Sequence, residues 1–173
     1  MLKRNTRALA IAALVIAVAA IRGLYASAQN NDEAAVRDVL MRSTASFEKN
    51  DRNEATKVWV NDESLVIFES GHANYGWADY RDHHLFPEMD EMKNTKYALT
   101  DMKIHVAGNA AWATFKYTIS GDVMTNGQPR HVDGGGLGTA VLEKRDGEWR
   151  IVHWHSSAPR RAPSPSQTPA AKP

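Results

Sequence analysis

Seven histidines carry most of the chemistry this chain can offer: His72, His83, His84, His105, His131, His153 and His155. An imidazole exchanges protons near neutral pH or ligates a metal, and spacing decides which groups can act together. His153 and His155 sit two apart in an alternating run, which predicts one strand face shared with Trp149 and Ile151. His84 precedes Glu88 by one helical turn, so the two share a face if the helix survives Pro87. His131 and Asp133 share a strand face, with Arg130 on the opposite one. These groupings suit general acid–base catalysis, with His84, His153, His155 and Asp133 as candidates. Tyr75, Tyr80 or Tyr117 would then donate to a developing oxyanion. The competing use is zinc or copper ligation by imidazoles and a carboxylate. No His-Glu-x-x-His or comparable spacing occurs, so no residue is assigned to a metal. No cofactor motif is found either. The run Gly134 to Gly138 lacks the helix and the Lys-Ser/Thr that a phosphate loop needs.

The elements that must position these groups are legible from periodicity. Val36, Val39, Leu40, Ser43 and Phe47 fall on one face of a first helix, capped by Asn31 or Asp32. After a break at Asn50-Asp51 a second helix runs from Asn53 to about Trp59. Leu65 to Phe68 reads as a strand turned at Ser70-Gly71, with a further turn at Tyr75-Gly76. A third helix is predicted from Trp77 to about Phe86, ended by Pro87. Strands follow over Tyr97–Val106, Ala110–Ser120, Arg130–Lys144 and Trp149–Ser156, joined at Gly108-Asn109, Gly121–Gln128 and Asp146-Gly147. Glycines inside the third of these predict a bulge or a tight bend. Helices first and an antiparallel meander afterwards imply an α+β fold, a curved antiparallel sheet wrapped around N-terminal helices.

Bulk properties bound the setting. Lys3, Arg4 and Arg7 precede an apolar run, Ala8 to Ala20, and Ala26-Ser27-Ala28 is a small-x-small cleavage site. The run is shorter than the roughly 20 residues a spanning helix needs. We therefore expect a signal peptide over residues 1–28, a periplasmic or secreted product, and no stable membrane span after cleavage. The domain should occupy 29–158. Residues 159–173 contain five prolines and no large apolar side chain, a composition that cannot offset ordering entropy and predicts a disordered tail. The absence of cysteine removes disulfides and thiolate chemistry. A formal net charge of +1, with both signs interspersed, does not point to nucleic acid.

The order of elements resembles the nuclear-transport-factor-2-like superfamily, especially its SnoaL-like members. The second half is similar to the association (hub) domain of calcium/calmodulin-dependent protein kinase II. That domain runs from His-x-His-Val-x-Gly through Gly-x-Pro-Arg to Arg-Asp-Gly-Lys-Trp-x-x-Val-His-x-His-x-Ser-x-x-Pro. The matching residues here are His105, Val106 and Gly108, then Gly127, Pro129 and Arg130. The ending matches at Arg145, Asp146, Gly147 and Trp149, then Val152, His153, His155 and Pro159. The resemblance implies a cone-shaped pocket between sheet and helices and assembly through the sheet, at least as a homodimer. It hosts isomerases, dehydratases, cyclases, oligomerisation modules and plain binding proteins alike. The association domain holds small carboxylates with arginines. Arg130 matches one, Lys116 aligns with another and Ala140 with a third, which removes a bidentate fork that lysine does not reproduce. The resemblance also places Trp59 and Trp77 at the cone mouth. The expectation is thus a small organic ligand, an anionic one being the match to Arg130, contacted by Trp59, Trp77, Tyr80, Lys116 and Arg130. Acid–base catalysis without a cofactor and a metal-binding or oligomerisation module are the alternatives.

Overall fold

The structure, a computed structural model, describes residues 28–125 and 127–159. Apart from Ala28 and Pro159, the expected signal peptide (1–28) and the expected tail (159–173) lie outside the described residues. Helix α1 covers residues 28–49 and buries Val36, Val39, Leu40, Ser43 and Phe47, as their spacing requires. It is already helical at residue 28, so neither Asn31 nor Asp32 caps it. Asp32 instead accepts hydrogen bonds from Lys144 Nζ and from the Trp149 indole at 3.0 Å, tying α1 to the far end of the sheet. Helix α2 (Arg52–Val58) is capped by Asp51, whose carboxylate accepts from the Glu54 amide at 3.0 Å.

Strand β1 (Val66–Glu69) and strand β2 (His72–Tyr75) form a hairpin on the two-residue turn Ser70-Gly71. Both turn residues have positive φ, 51° and 82°, which matches the twist of the strands. No apolar alternation marks His72–Tyr75, and only its pairing with β1 reveals it as a strand. Helix α3 (Trp77–Tyr80), a π-helical turn (Arg81–Leu85) and helix α4 (Phe86–Glu91) then run on without interruption. The helix therefore does not end at Pro87. The wide turn lets the Phe86 amide reach back to the Arg81 carbonyl, and proline falls in the first turn of α4, where its missing N–H costs little.

Four long strands complete the fold: β3 (Lys93–Ala107), β4 (Ala110–Thr125), β5 (Gln128–Arg145) and β6 (Glu148–Ser157). They form one six-stranded sheet in the order β2-β1-β6-β5-β4-β3, antiparallel except where β1 runs parallel to β6. The sheet curves without closing, leaving β2 and β3 as edges. Its inner face packs on the helices through Ile67, Leu99, Ala111, Ala113, Phe115, Ala140, Leu142 and Trp154. The expected α+β architecture is the one found.

Two local features set what the concave face contains. The first is the glycine run. Register between β4 and β5 is continuous there, so the glycines create no bulge on that side. Gly134, Gly136 and Gly138 oppose Ile119, Tyr117 and Phe115 on the inner face. A Cβ on Gly138 would lie 2.1 Å from the Phe115 ring, so glycine makes room for a ring that packs on Trp154 at 4.7 Å. The second is a bulge in β6. Leu142 pairs with Ile151 and Val141 with His153, leaving Val152 as the extra residue. That residue inverts the alternation expected from the sequence. Trp149 and Ile151 share a buried face, but beyond Val152 it is Trp154 and Ser156, not His153 and His155, that continue it.

Gly138→Ala should therefore destabilise the fold by about 1–3 kcal/mol through overpacking. Gly134→Ala, whose new methyl would meet only Ile119 at 3.8 Å, should cost less than about 1 kcal/mol. Urea unfolding of the two variants compares them, and equal losses would contradict this account of the glycines.

Candidate functional site

A cavity of about 320 Å³ lies between the concave sheet and the helices. Its apolar wall includes Phe47, Trp59, Leu85, Met92, Ile119 and Trp154. Its polar groups include Glu69, His72, Tyr80, His84, Glu88, Tyr97, Tyr117 and Ser156. Apolar walls with a few convergent polar groups are what small-molecule sites are made of.

Glu69 is the centre of that polar set. It ends β1 in phase with buried Ile67 and pairs in register with Ser156 of β6. The Ser156 hydroxyl donates to Glu69 Oε1 at 2.9 Å, and Glu69 Oε2 lies 3.4 Å from His84 Nε2. About 20 % of its side-chain surface is open, and that surface faces the cavity rather than bulk water. Burial raises the Glu69 pKa above the usual carboxylate value, against the opposing effects of His84 and Ser156.

His84 sits in the π-helical turn, a distortion common at functional sites. Its Nδ1 is 2.8 Å from Asn74 Oδ1. The amide orientation follows from the next partner, because Asn74 Nδ2 donates to Asp79 Oδ2 at 3.1 Å and a carboxylate can only accept. Asn74 thus offers its oxygen, and His84 must carry hydrogen on Nδ1. Its Nε2 is left facing Glu69 and, at 3.5 Å, Glu88. The hydrogen bond to Glu88 raises the His84 pKa above the usual imidazole value, with Glu69 and Asp79 adding to it and burial opposing. Glu69 and His84 form a carboxyl–imidazole pair that can hold one proton between them.

Phenols surround the pair. Tyr80 is buried and T-stacks on Trp59 at 5.1 Å and on His84 at 5.4 Å. Burial lifts the Tyr80 and Tyr97 pKa values well above the usual phenol value, and the Glu69 charge adds to each. Both therefore stay protonated as hydrogen-bond donors.

Of the residues expected at the site, the structure brings His84, Trp59, Tyr80, Tyr117 and Asp133 to the cavity, Asp133 at its exposed rim. It does not bring the others. The bulge at Val152 turns His153 and His155 to the convex face. There His153 Nδ1 donates to the Val66 carbonyl at 2.8 Å, and both rings flank Phe68. Trp77 is buried against Tyr80 and Phe86 and does not line the cavity. Lys116 alternates with buried Phe115, so it faces outward and pairs with Asp101 at 2.7 Å. Arg130 is in phase with Val132 but lies nearer the β4–β5 turn, exposed and beyond the cavity. No lysine or arginine is among the lining residues, which removes the basis for an anionic ligand. Glu69, Tyr97 and Ser156 are the residues that sequence reasoning missed. The available signal for Glu69 was a lone carboxylate in phase with Ile67. Among the described residues, no group of three His, Asp or Glu side chains is placed to hold a metal ion. No helix among them is long and apolar enough to cross a membrane.

Because the His84 pKa is raised on folding, its contribution to stability is full below the unfolded value of about 6.5 and fades as pH rises through the folded value. The stability difference between the protein and His84→Gln, measured by urea unfolding, should shrink across that window. Glu88→Gln should lower the His84 titration midpoint in NMR. A stability difference that grows with pH, or an unmoved midpoint, would contradict the assignment.

Comparison with known proteins places this geometry. A family model described as the SnoaL-like domain matches residues 20–161. No curated protein matches the chain. Among solved structures, a nuclear transport factor 2-like superfamily protein from Salmonella enterica is 21% identical, with a TM-score of 0.66. The match covers 83% of this chain and 99% of that one. A candidate dehydratase of the same superfamily from Streptomyces avermitilis is 15% identical over 75% of this chain and 97% of its own, with a TM-score of 0.67. A candidate calcium/calmodulin-dependent protein kinase II association domain from Xanthomonas campestris is 19% identical over 73% and 87%, with a TM-score of 0.60. At such identities the structural likeness speaks for the fold alone. The family model covers most of the chain, and on it this protein belongs to the SnoaL-like family of the nuclear-transport-factor-2-like fold.

Proposed function

We propose that the protein is an exported, dimeric small-molecule-binding protein whose cavity performs cofactor-independent acid–base chemistry on its ligand. The observation that carries this reading is Glu69 facing His84 inside an aromatic-walled cavity, each with its pKa raised above its ordinary value. Ionised Glu69 takes a proton from a carbon or hydroxyl of the bound molecule and becomes a neutral acid. Protonated His84 returns a proton from Nε2, either to another atom of the same molecule, an isomerisation, or to a departing hydroxyl, a dehydration. Tyr80 and Tyr97 donate to the oxygen on which negative charge develops. A relative of the same fold described as a candidate dehydratase supports this reaction class.

The reactive form needs Glu69 ionised and His84 protonated, so it is populated between the two apparent pKa values of the coupled pair. Turnover on a panel of small cyclic ketones and hydroxyketones should be bell-shaped in pH. Glu69→Gln should lower kcat by about 100-fold or more while ligand still quenches tryptophan fluorescence. Retained turnover in that variant would overturn the catalytic reading. Ligand binding without turnover in the native protein would leave a binding protein only.

Export is supported by the basic, apolar and small-residue segments ahead of Gln29. Dimerisation is supported by the convex sheet face, where Leu137 is 62% exposed, Trp112 45% and Phe68 38%. The association-domain relative has the same fold. Protein recovered from the cell envelope should begin at Gln29 and scatter light at twice the monomer mass, whereas Leu137→Glu should scatter as monomer. An intact Met1, or monomeric native protein, would contradict these two proposals respectively.

A further inference from the structure

The charge of the cavity wall names a ligand class. Glu69, Glu88 and Asp133 are among the lining residues, against the two histidines His72 and His84 and no lysine or arginine. A carboxylate or phosphate entering this space would meet carboxylates, an imidazole already paired with Glu69 and Glu88, and no cationic fork. The rings of Trp59, Trp154, Tyr80 and Phe47 line the same volume, and an ammonium group is attracted to the face of such a ring. The Tyr80 hydroxyl gives a separate pointer. Its residue is only 4% exposed, and no hydrogen bond from it is found among the described residues. Tyr80 lines the cavity, so its hydroxyl is available to a molecule held there.

Building on the cavity reading above, we propose that the ligand is a small organic cation, an aryl- or alkylammonium whose charge lies against Glu88 and whose apolar body lies on Trp59 and Trp154. Glu88 suits this role by position. Its side chain is 53% exposed, so it stands where the cavity meets solvent, while Glu69 lies deeper beside Ser156. A cation held at the mouth leaves the inner end of the molecule facing Glu69 and His84. The preference is the reverse of the arginine-lined pocket that the resemblance to the association domain implied.

Benzylammonium, benzyl alcohol and benzoate share one ring and differ in charge, which makes them the probes. Titration calorimetry of the full-length protein at neutral pH is expected to give benzylammonium an affinity at least about tenfold above benzyl alcohol, a difference of about 1.4 kcal/mol, with no binding of benzoate. Glu88→Gln should narrow the gap between amine and alcohol. Benzyl alcohol binding as tightly as benzylammonium, or benzoate binding as tightly as either, would overturn the cationic class and leave the cavity reading standing. If none of the three binds or quenches tryptophan fluorescence, the cavity reading falls together with the ligand class. Circular dichroism of the Glu88→Gln variant confirms that any change reflects charge.

Discussion

Because β6 carries one residue more than β5 between Ile151 and His153, its alternation inverts halfway along, and the contents of the cavity follow from that inversion. Without the extra Val152, His153 and His155 would point inward and Trp154 and Ser156 outward. With it, Ser156 meets Glu69 across the parallel β1–β6 pair and Trp154 packs against Phe115 and Trp59. The carboxylate at the end of β1 is thereby enclosed instead of solvated. Its altered acidity, its pairing with His84 and the phenols around it all depend on that enclosure. Gly138 completes the arrangement by leaving room for Phe115, the ring on which Trp154 rests.

The helical side of the site depends on an equally local device. Pro87 would end an ordinary helix, and the π-helical turn before it absorbs the disruption. The continued helix carries His84 and Glu88 one turn apart, while β2 supplies Asn74 to hold the other side of the imidazole. Asp79 in turn holds Asn74 and the Tyr75 amide, so the orientation of one ring is fixed by a chain of groups drawn from a strand and a helix. Such support keeps a reactive side chain in a single orientation before any ligand arrives.

Much of this architecture was legible from periodicity. The face of α1, the break at Asn50-Asp51, the long strands and the α+β order all follow from apolar spacing and turn residues. The site was half legible. His84, Trp59, Tyr80 and Tyr117 are legible because residue type and spacing are visible in a chain, and Asp133, read as a catalytic candidate, reaches only the exposed rim. Arg130 and Lys116 were carried over from a family with a differently charged pocket, and here they lie outside it. His153 and His155 were misplaced because a bulge leaves no mark in an alternating pattern. The phase of β6 changed at Val152, an ordinary strand residue. Glu69 was overlooked because a single carboxylate beside a turn usually reads as solvated, and only the parallel pairing of β1 with β6 buries it.

The account rests on the acidity of Glu69, and that can be measured directly. Carbon-13 labelling of glutamate, with the Glu69 carboxyl resonance assigned by its loss in Glu69→Gln, follows its titration in the ligand-free protein. The structure predicts a midpoint above the ordinary carboxylate value of 4.5, coupled to the titration of His84. A midpoint at or below 4.5 that does not respond to His84→Gln would mean that Glu69 is solvated and that the enclosed pair does not exist.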